Sequence, residues 1–262
     1  MRAAIVAVVL AGMASSAVAK DSKDGKHPKD AKSKHDKSAR SSKKPKREST
    51  AVGKDHKFKA DNMPAGWQWP PSKAMLAQEK GCETKLDDAG VTWAAGKADG
   101  RIVDAVTLPD QQVDGVQFVG YASQPYVMDC QLALAWAKFA PTMYGLGVRE
   151  VHFGSVYRWT KVRAFGKTEN MLSRHSIGIA MDVVSFVDDT GREAIVGRDY
   201  KKGDALLLGI EHAVNASGLF RTLLTPKNDP RSHSDHFHVE AAIDFTPPDE
   251  IADTATSETP EQ

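Results

Sequence analysis

Titratable side chains suited to metal chemistry gather in two short segments of this 262-residue chain. The first, 173–182, contains His175 and Asp182, and the second, 233–238, contains three histidines of which His238 is the last. Imidazole and carboxylate ligands suit zinc, whereas calcium requires oxygen ligands. Two histidines and one carboxylate leave a fourth tetrahedral position for water, which is the arrangement of catalytic zinc sites. The residue types therefore indicate a catalytic zinc site.

Two strands must bring these residues together. Residues 179–187 alternate as a strand with Asp182 on one face, and residues 235–241 predict a second strand. Two histidines of the second strand are separated by one residue and therefore share a face. If the strands are neighbours, one carboxylate and one or two imidazoles converge, and His175 reaches the same face from the preceding loop. Each histidine alone would be an ordinary loop or core residue, but a carboxylate inside an apolar strand needs a partner or a metal.

The remaining elements follow from apolar periodicity, caps and turn residues. Pro141 and the segment 145–147 are expected to end the second helix. The predicted elements are helices over 72–86, from Ser123 or Asp129 through Phe139, and over 204–217, and strands over 91–93, 102–108 and 148–156. This order predicts an α+β domain with an antiparallel sheet and flanking helices.

Two motifs carry a resemblance to known families: Ser173-x-His175-x-x-Gly178-x-Ala180-x-Asp182 and His236-x-His238. They resemble the LAS metallopeptidases, which include lysostaphin-like enzymes, D-Ala-D-Ala metallopeptidases and the hedgehog signalling domain. The stretch from about Trp69 to Ala242 is similar to the bacterial extensin-like C-terminal domain family. The resemblance implies a LAS/hedgehog-like zinc peptidase fold with Zn²⁺ as the cofactor. Its ligands would be His175, Asp182 and His238.

The same resemblance implies roles for residues around the metal. Asp235 matches an acidic general base, and His236 matches a histidine that assists the water or the oxyanion. Arg158 matches an arginine that polarises the substrate carbonyl, although an ordinary surface ion pair is the alternative reading. Arg174 stands where an acidic residue is more usual. Two further residues are candidates for substrate binding, Ser173 and His233.

Three functions are compatible with these motifs. The first is a zinc-dependent peptidase that hydrolyses amide bonds in peptidoglycan stem peptides or crosslinks, with endopeptidase and carboxypeptidase activity both open. The second is a non-catalytic, zinc-containing module that binds the cell wall. The third is a structural domain stapled by a metal, which predicts that chelation unfolds the protein.

The N-terminal part has the features of an exported protein. Arg2, an apolar run and Ala17-Val18-Ala19 predict a cleaved signal peptide over 1–19, the alternative being a short membrane anchor. No later stretch is apolar enough to span a membrane. Export would place the protein in the periplasm or at the cell envelope. The mature chain then begins with a Lys-rich linker over 20–62, whose composition predicts disorder.

Charge divides the chain into two parts of opposite sign. Residues 20–60 carry 15 basic and six acidic side chains, a net charge of +9, which suits a flexible tether or attraction to an anionic surface. Residues 61–262 carry 19 basic and 28 acidic side chains, a net charge of −9, which argues against nucleic acid as a partner. We expect one domain over 63–246 and an acidic, disordered tail over 247–262.

The two cysteines, Cys82 and Cys130, are an even number in a chain expected to be exported. This favours a disulfide over the alternative of two buried thiols. Neither cysteine lies in a Cys-x-x-Cys spacing, so they are not expected to bind zinc.

Overall fold

The computed structural model describes residues 62–97, 100–121 and 126–247. The predicted signal peptide, the linker up to residue 61 and the tail from residue 248 lie outside these ranges. Within them, no helix is long and apolar enough to cross a membrane. In chain order the elements are α1 (Lys73–Asp88), β1 (Ala94–Ala95), β2 (Ala105–Thr107), β3 (Gln112–Val113), β4 (Val116–Gly120), β5 (Met128–Asp129), α2 (Cys130–Gly145), β6 (Val148–Ser155), β7 (Lys161–Ala164), β8 (Lys167–Leu172), a 3₁₀ turn (Arg174–Ile177), β9 (Ala180–Asp188), β10 (Glu193–Ile195), α3 (Val196–Asp199), a second 3₁₀ turn (Tyr200–Lys202), α4 (Ala205–Ala216), β11 (Phe220–Leu224) and β12 (Phe237–Ala241).

The three long helices begin at side chains that accept hydrogen bonds from their first turns. The Ser72 hydroxyl accepts from the Met75 amide of α1 at 3.1 Å, and the Asp129 carboxylate accepts from the Gln131 amide of α2 at 3.0 Å. Asp204 caps α4 in the same way. These bonds satisfy amide groups that lack a partner within the helix. The predicted helix starts are confirmed, with Asp129 as the start of α2.

The prediction that Pro141 ends α2 is wrong, because the helix continues to Gly145. Proline removes one backbone hydrogen bond, but the buried side chains of Phe139 and Met143 hold the helix against the core on both sides of it. Tertiary packing therefore overrides the local preference. The helix stops at the second predicted terminator, where Gly147 adopts a φ of 89°.

The main sheet has the strand order β11-β12-β9-β6-β4-β3, with β10 paired to β9. Its pairs are antiparallel except for β4 and β6, which run parallel. The α+β class is confirmed, but the prediction of an antiparallel sheet is wrong at this pair. The reason is that α2 lies between β4 and β6 in the chain, and a helical crossover joins parallel strands.

The core lies between α2 and the main sheet. Trp136 of α2 packs against the Phe220 ring of β11, with centroids 5.0 Å apart, and Phe139 packs against the same ring at 5.4 Å. The disulfide between Cys82 and Cys130 joins α1 to the first residue of α2, which confirms the predicted pairing. The sheet is thus covered on one side by α2, which the disulfide links to α1.

Candidate metal centre

Strand β9 is central because it pairs with β12 on one side and β6 on the other. His238 of β12 lies directly opposite Asp182 of β9, and Ser155 of β6 lies opposite Asp182 across the other pairing. The two predicted strands are therefore neighbours, as the predicted site requires. The register alone places a carboxylate and an imidazole side by side.

The 3₁₀ turn Arg174–Ile177 delivers His175 to the same place. The Ser173 hydroxyl accepts a hydrogen bond from the His175 amide at 3.4 Å and so caps this turn. Gly178 then adopts a φ of 73°, and a Cβ there would lie 2.8 Å from the backbone nitrogen of Asp129. Only glycine fits this reversal without displacing the start of α2. The glycine of the motif thus lets the chain turn from His175 back into β9.

The 3₁₀ turn also fixes the segment that follows β6. The Arg158 amide donates to the His175 carbonyl at 3.2 Å, and the Thr160 amide donates to the Ser176 hydroxyl at 2.9 Å. Ser176 in turn donates to backbone carbonyls of the same segment. Arg158 is therefore held beside the histidine by backbone geometry.

Three ligand atoms converge where these elements meet. His175 Nε2 lies 3.1 Å from Asp182 Oδ1 and 3.1 Å from His238 Nδ1, and His238 Nδ1 lies 2.9 Å from Asp182 Oδ1. All three residues are buried. A tetrahedral zinc ion with bonds of about 2.0 Å holds its ligand atoms about 3.3 Å apart. The triangle therefore has nearly the dimensions of one face of such a site.

The outer nitrogen of each histidine determines which atom faces the triangle. His175 Nδ1 lies 2.6 Å from the Val156 carbonyl, and His238 Nε2 lies 3.1 Å from Glu240 Oε1. Both partners accept hydrogen bonds, so these outer nitrogens carry the hydrogens. In the neutral rings, His175 Nε2 and His238 Nδ1 then present lone pairs toward Asp182 Oδ1. Three atoms with free lone pairs thus face one another. Nitrogen and oxygen lone pairs of this kind are the ligands that zinc binds.

Asp182 is held in its charged form. Its Oδ2 accepts from the Ser155 hydroxyl at 2.8 Å and from Arg158 Nη2 at 2.9 Å. Burial acts to raise the pKa of Asp182, but His175 and His238 outweigh it and hold the pKa well below its usual range. Arg158 does form an ion pair, but with this buried carboxylate instead of a surface partner.

Burial lowers the pKa of His175. Burial also acts to lower the pKa of His238, but hydrogen bonds with Asp182 and Glu240 raise it to about 9. Without a metal, His238 is thus the group that carries a proton into the triangle. A bound cation would take the place of that proton, so metal affinity is expected to depend on pH.

Glu240 is a site residue that sequence reasoning missed. Besides His238, its carboxylate accepts from Arg221 Nε at 2.9 Å and lies 3.5 Å from Arg174 Nε. Burial acts to raise the pKa of Glu240, but the His238 bond lowers it to about 2. Burial lowers the pKa of Arg174 to about 10 while Glu240 opposes the shift. The presence of a basic residue, Arg174, directly before His175 is thus explained, because Arg174 helps to neutralise the Glu240 carboxylate that orients His238.

Asp229 is a second residue that sequence reasoning missed. It is fully buried, and its carboxylate accepts from the Phe165 amide at 3.1 and 3.2 Å and lies 2.9 Å from His233 Nδ1. Phe165 is at the tip of the β7–β8 hairpin. Burial lowers the pKa of His233 to about 4, so this ring is neutral. Asp229 thus ties the hairpin to a histidine whose ring centroid is 5.2 Å from that of His238.

The predicted base lies outside the triangle. Asp235 Oδ1 is 2.8 Å from His236 Nδ1, and the Asp235 side chain is 78% exposed. His236 Nε2 is 3.5 Å from Asp182 Oδ1. His236 therefore stands between Asp235 and the ligand atoms. A Cβ at Gly197 would lie 2.9 Å from the Asp235 Cα, so α3 packs closely under this loop.

The triangle opens into a cleft of about 320 Å³. One wall is the β7–β8 hairpin and the other is β11 with the loop before β12. The described residues that line it are Asn62, Arg158, Thr160, Lys161, Val162, Arg163, Ser173, His175, Asp182, Arg221, Thr222, Leu224, Ser232, His233, His236, His238 and Glu240. Of the sequence-predicted site residues, Asp235 alone is outside this lining.

Comparison with known proteins identifies the family. Residues 80–246 match the family model described as Extensin-like protein C-terminus. No curated protein and no solved structure matches the chain. The matched stretch covers more than half of the chain and contains all the ligand, hydrogen-bonding and cleft residues from Arg158 to Glu240 described above. The chain belongs to the extensin-like C-terminal family, and all of its cleft except Asn62 lies in the family domain.

Proposed function

We propose that this protein is an exported, zinc-dependent peptidase that hydrolyses amide bonds in the stem peptides or crosslinks of peptidoglycan. The observation that carries the proposal is the triangle of His175 Nε2, Asp182 Oδ1 and His238 Nδ1, three acceptor atoms 2.9 to 3.1 Å apart. Acceptors at this spacing repel one another unless a cation or a proton lies between them. Because the triangle opens into a cleft, it suits a catalytic cation better than a structural one.

His175, Asp182 and His238 would hold the zinc ion, and Glu240 with the Val156 carbonyl would orient the two imidazoles. When bound, zinc lowers the pKa of a water ligand to about 7 and polarises a substrate carbonyl. Arg158 and Ser155 keep the Asp182 carboxylate ionised and in place through its second oxygen. These residues thus do the work of binding and orientation.

His236 is the best placed group to move protons. Its Nε2 lies 3.5 Å from a ligand oxygen, and its Nδ1 is oriented by Asp235 at 2.8 Å. His236 would take a proton from the attacking water and return it to the leaving amine, with Asp235 as the orienting carboxylate. This assignment gives the base role to the histidine of the pair, because Asp235 itself is directed to solvent.

Arg158 would stabilise the negative charge that develops on the carbonyl oxygen. Its side chain is half-exposed at the cleft while one nitrogen binds Asp182, and a guanidinium has further donors. His233, neutral and anchored by Asp229, offers its other ring nitrogen for binding substrate. Ser173 caps the turn that carries His175, so we assign it mainly a positioning role.

The architecture supports the comparison with LAS-type peptidases. A central antiparallel strand carrying the aspartate, with a histidine in register on its neighbour, matches the order of the ligands in that group's motif. We therefore propose a LAS/hedgehog-like zinc peptidase fold. A wall-binding module without catalysis is the competing function, and it gives no reason for the Asp235–His236 pair at the edge of the cleft.

The test is digestion of purified muropeptides by the zinc-loaded full chain. We expect new peptide products that disappear on chelation, and a loss of rate on the order of 10² to 10⁴ in His236→Ala. His212→Ala is the matched control, since His212 is exposed on α4 and does not line the cleft. Unchanged muropeptides, under conditions in which a reference endopeptidase cuts them, would contradict the proposal. Binding to wall sacculi without released peptides would favour the module.

A further inference from the structure

The cleft is lined by more basic than acidic side chains. Two basic residues, Lys161 and Arg163, lie on β7, and Arg221 lies across the cleft on β11. We call these three residues the cationic rim. Arg158 adds a fourth positive charge, whereas the acidic lining residues of the described part are Asp182 and Glu240. Both acids are already engaged by histidines and arginines.

This positive cleft lies in a segment that is otherwise acidic. Residues 61–262 carry 19 basic and 28 acidic side chains. A concave site lined by the opposite sign of charge concentrates the local field and raises the concentration of ligands of complementary charge. A bound zinc ion would add two further positive charges to the cleft. The cleft should therefore attract anions.

The rim is held in place at both walls. Asp229 binds the Phe165 amide at the hairpin tip, and the Gly166 amide donates to the Ser232 hydroxyl at 2.9 Å. On the other wall, Arg221 binds Glu240 and the Asn62 side chain while remaining 43% exposed. The backbone of the hairpin that carries Lys161 and Arg163, and the Arg221 side chain, are thus held on either side of the ligand triangle.

The lining also offers little to apolar groups. Of the described residues that line the cleft, Val162 and Leu224 are the apolar ones. Arg163 is exposed, and it takes part in no ion pair within the described ranges. Recognition in this cleft must then rest on polar and charged groups, with Arg163 available for an external partner.

We propose that the cationic rim binds free carboxylates of the substrate, so that the protein acts on anionic peptides in preference to the same peptides with those carboxylates amidated. This inference rests on the proposed peptidase function and names its substrate class. Lys161 and Arg163 are the specificity-determining residues we assign to β7. Arg221 contributes from the other wall but also supports Glu240.

The test uses two stem-type peptides that differ only in carrying carboxylates or carboxamides outside the scissile bond. With the zinc-loaded full chain we expect kcat/KM to be higher for the acidic peptide by up to about fivefold for each rim contact, the upper end of the contribution of an exposed charge pair. Arg163→Gln and Lys161→Gln should each reduce this preference. Lys167→Gln is the matched control, because Lys167 is exposed on the same hairpin but does not line the cleft.

Binding measured without turnover separates this inference from the function on which it rests. Calorimetric titration of both peptides into zinc-loaded His236→Ala should show tighter binding of the acidic peptide at low salt and a smaller difference at 0.5 M salt. Equal affinities and equal kcat/KM values for the two peptides would overturn the proposed role of the cationic rim. If the acidic peptide binds preferentially but neither peptide is cleaved by the wild type, the role of the cationic rim stands and the proposed peptidase function is overturned.

Discussion

In the described part of the chain, two buried clusters each bring one ligand atom from three possible metal-binding residues within 4.8 Å of one another. They are His175, Asp182 and His238 at the cleft, and Glu79, Cys82 and Cys130 between α1 and α2. In the second cluster the two sulfurs are bonded to each other, so neither is a thiolate that could bind zinc. Similar spacing therefore has different chemical meaning at the two places.

The charge state of the carboxyl groups makes the same distinction. Burial, aided by Asp129, raises the pKa of Glu79 to about 10, and Glu79 Oε1 has no hydrogen-bond partner within the described part of the chain. Asp182 instead has its pKa held below the usual range by His175 and His238, and its second oxygen accepts hydrogen bonds from Ser155 and Arg158. One carboxyl group meets burial by taking a proton, whereas the other remains an anion and needs a cation. The supporting groups, more than proximity, distinguish the proposed metal site from the second cluster.

The largest expected effect is that of Asp182→Asn. This change removes the charge of the triangle, and we expect loss of bound zinc together with a loss of hydrolysis on the order of 10³ or more. Glu79→Gln is the matched control, since the amide has the shape of the neutral acid, and it should retain zinc and activity. Metal analysis and muropeptide digestion of both variants check this. Retention of zinc by Asp182→Asn would contradict the view that the charge of Asp182 distinguishes the two clusters.

The second effect concerns the cluster closed by the disulfide. The double variant Cys82→Ser/Cys130→Ser should lose about 4 kcal/mol of unfolding free energy, from the chain entropy of the 48-residue separation. Its zinc content should nevertheless equal that of the wild type. Denaturant unfolding and metal analysis of the same preparation measure both. A loss of zinc from the natively folded double variant would show that the two clusters are coupled.

Glu240→Gln should have a smaller effect on the metal. It weakens the acceptor that orients His238, and such changes cost about 10- to 100-fold in metal affinity. Competition with a chelator of known affinity measures this against wild type. Affinity unchanged in Glu240→Gln would mean that His238 is oriented without this carboxylate.

The smallest effect on the metal centre is expected at Glu79, where the change appears as a pH dependence of stability while bound zinc is retained. Because its folded pKa is raised to about 10 from an ordinary 4.5, the folded state holds an extra proton between these values, and its stability falls as pH rises. The limiting slope is about 1.4 kcal/mol per pH unit. Glu79→Gln cannot ionise, so its stability relative to wild type should increase from pH 5 to pH 8 in denaturant titrations. A constant difference across this range would contradict the raised pKa.

The convergence of His175, Asp182 and His238 could be predicted because their types and spacing are unusual, and an aspartate in an apolar strand requires a partner. Glu240 could have been found by the same reasoning, since it lies two residues after His238 and shares its face of β12. Ser155 could not, because its position beside Asp182 depends on the register between β6 and β9. Asp229 acts through contacts with a distant hairpin, which no local pattern reveals.

The fold was predictable in its helix caps and long strands, which depend on local chemistry. The parallel pairing of β4 and β6 and the continuation of α2 through Pro141 depend on packing across the molecule. Local patterns do not carry that information. The same division separates the proposed zinc ligands from the residues that support them.

The most direct test of the account is the zinc content of the purified full chain, measured by elemental analysis after zinc loading and extensive washing. His175→Ala and His212→Ala are analysed beside the wild type, the latter to correct for zinc bound by other histidines. We predict about one zinc ion per chain in the wild type and in His212→Ala, and none above background in His175→Ala. No zinc in the wild type, or equal zinc in His175→Ala, would contradict the metal centre.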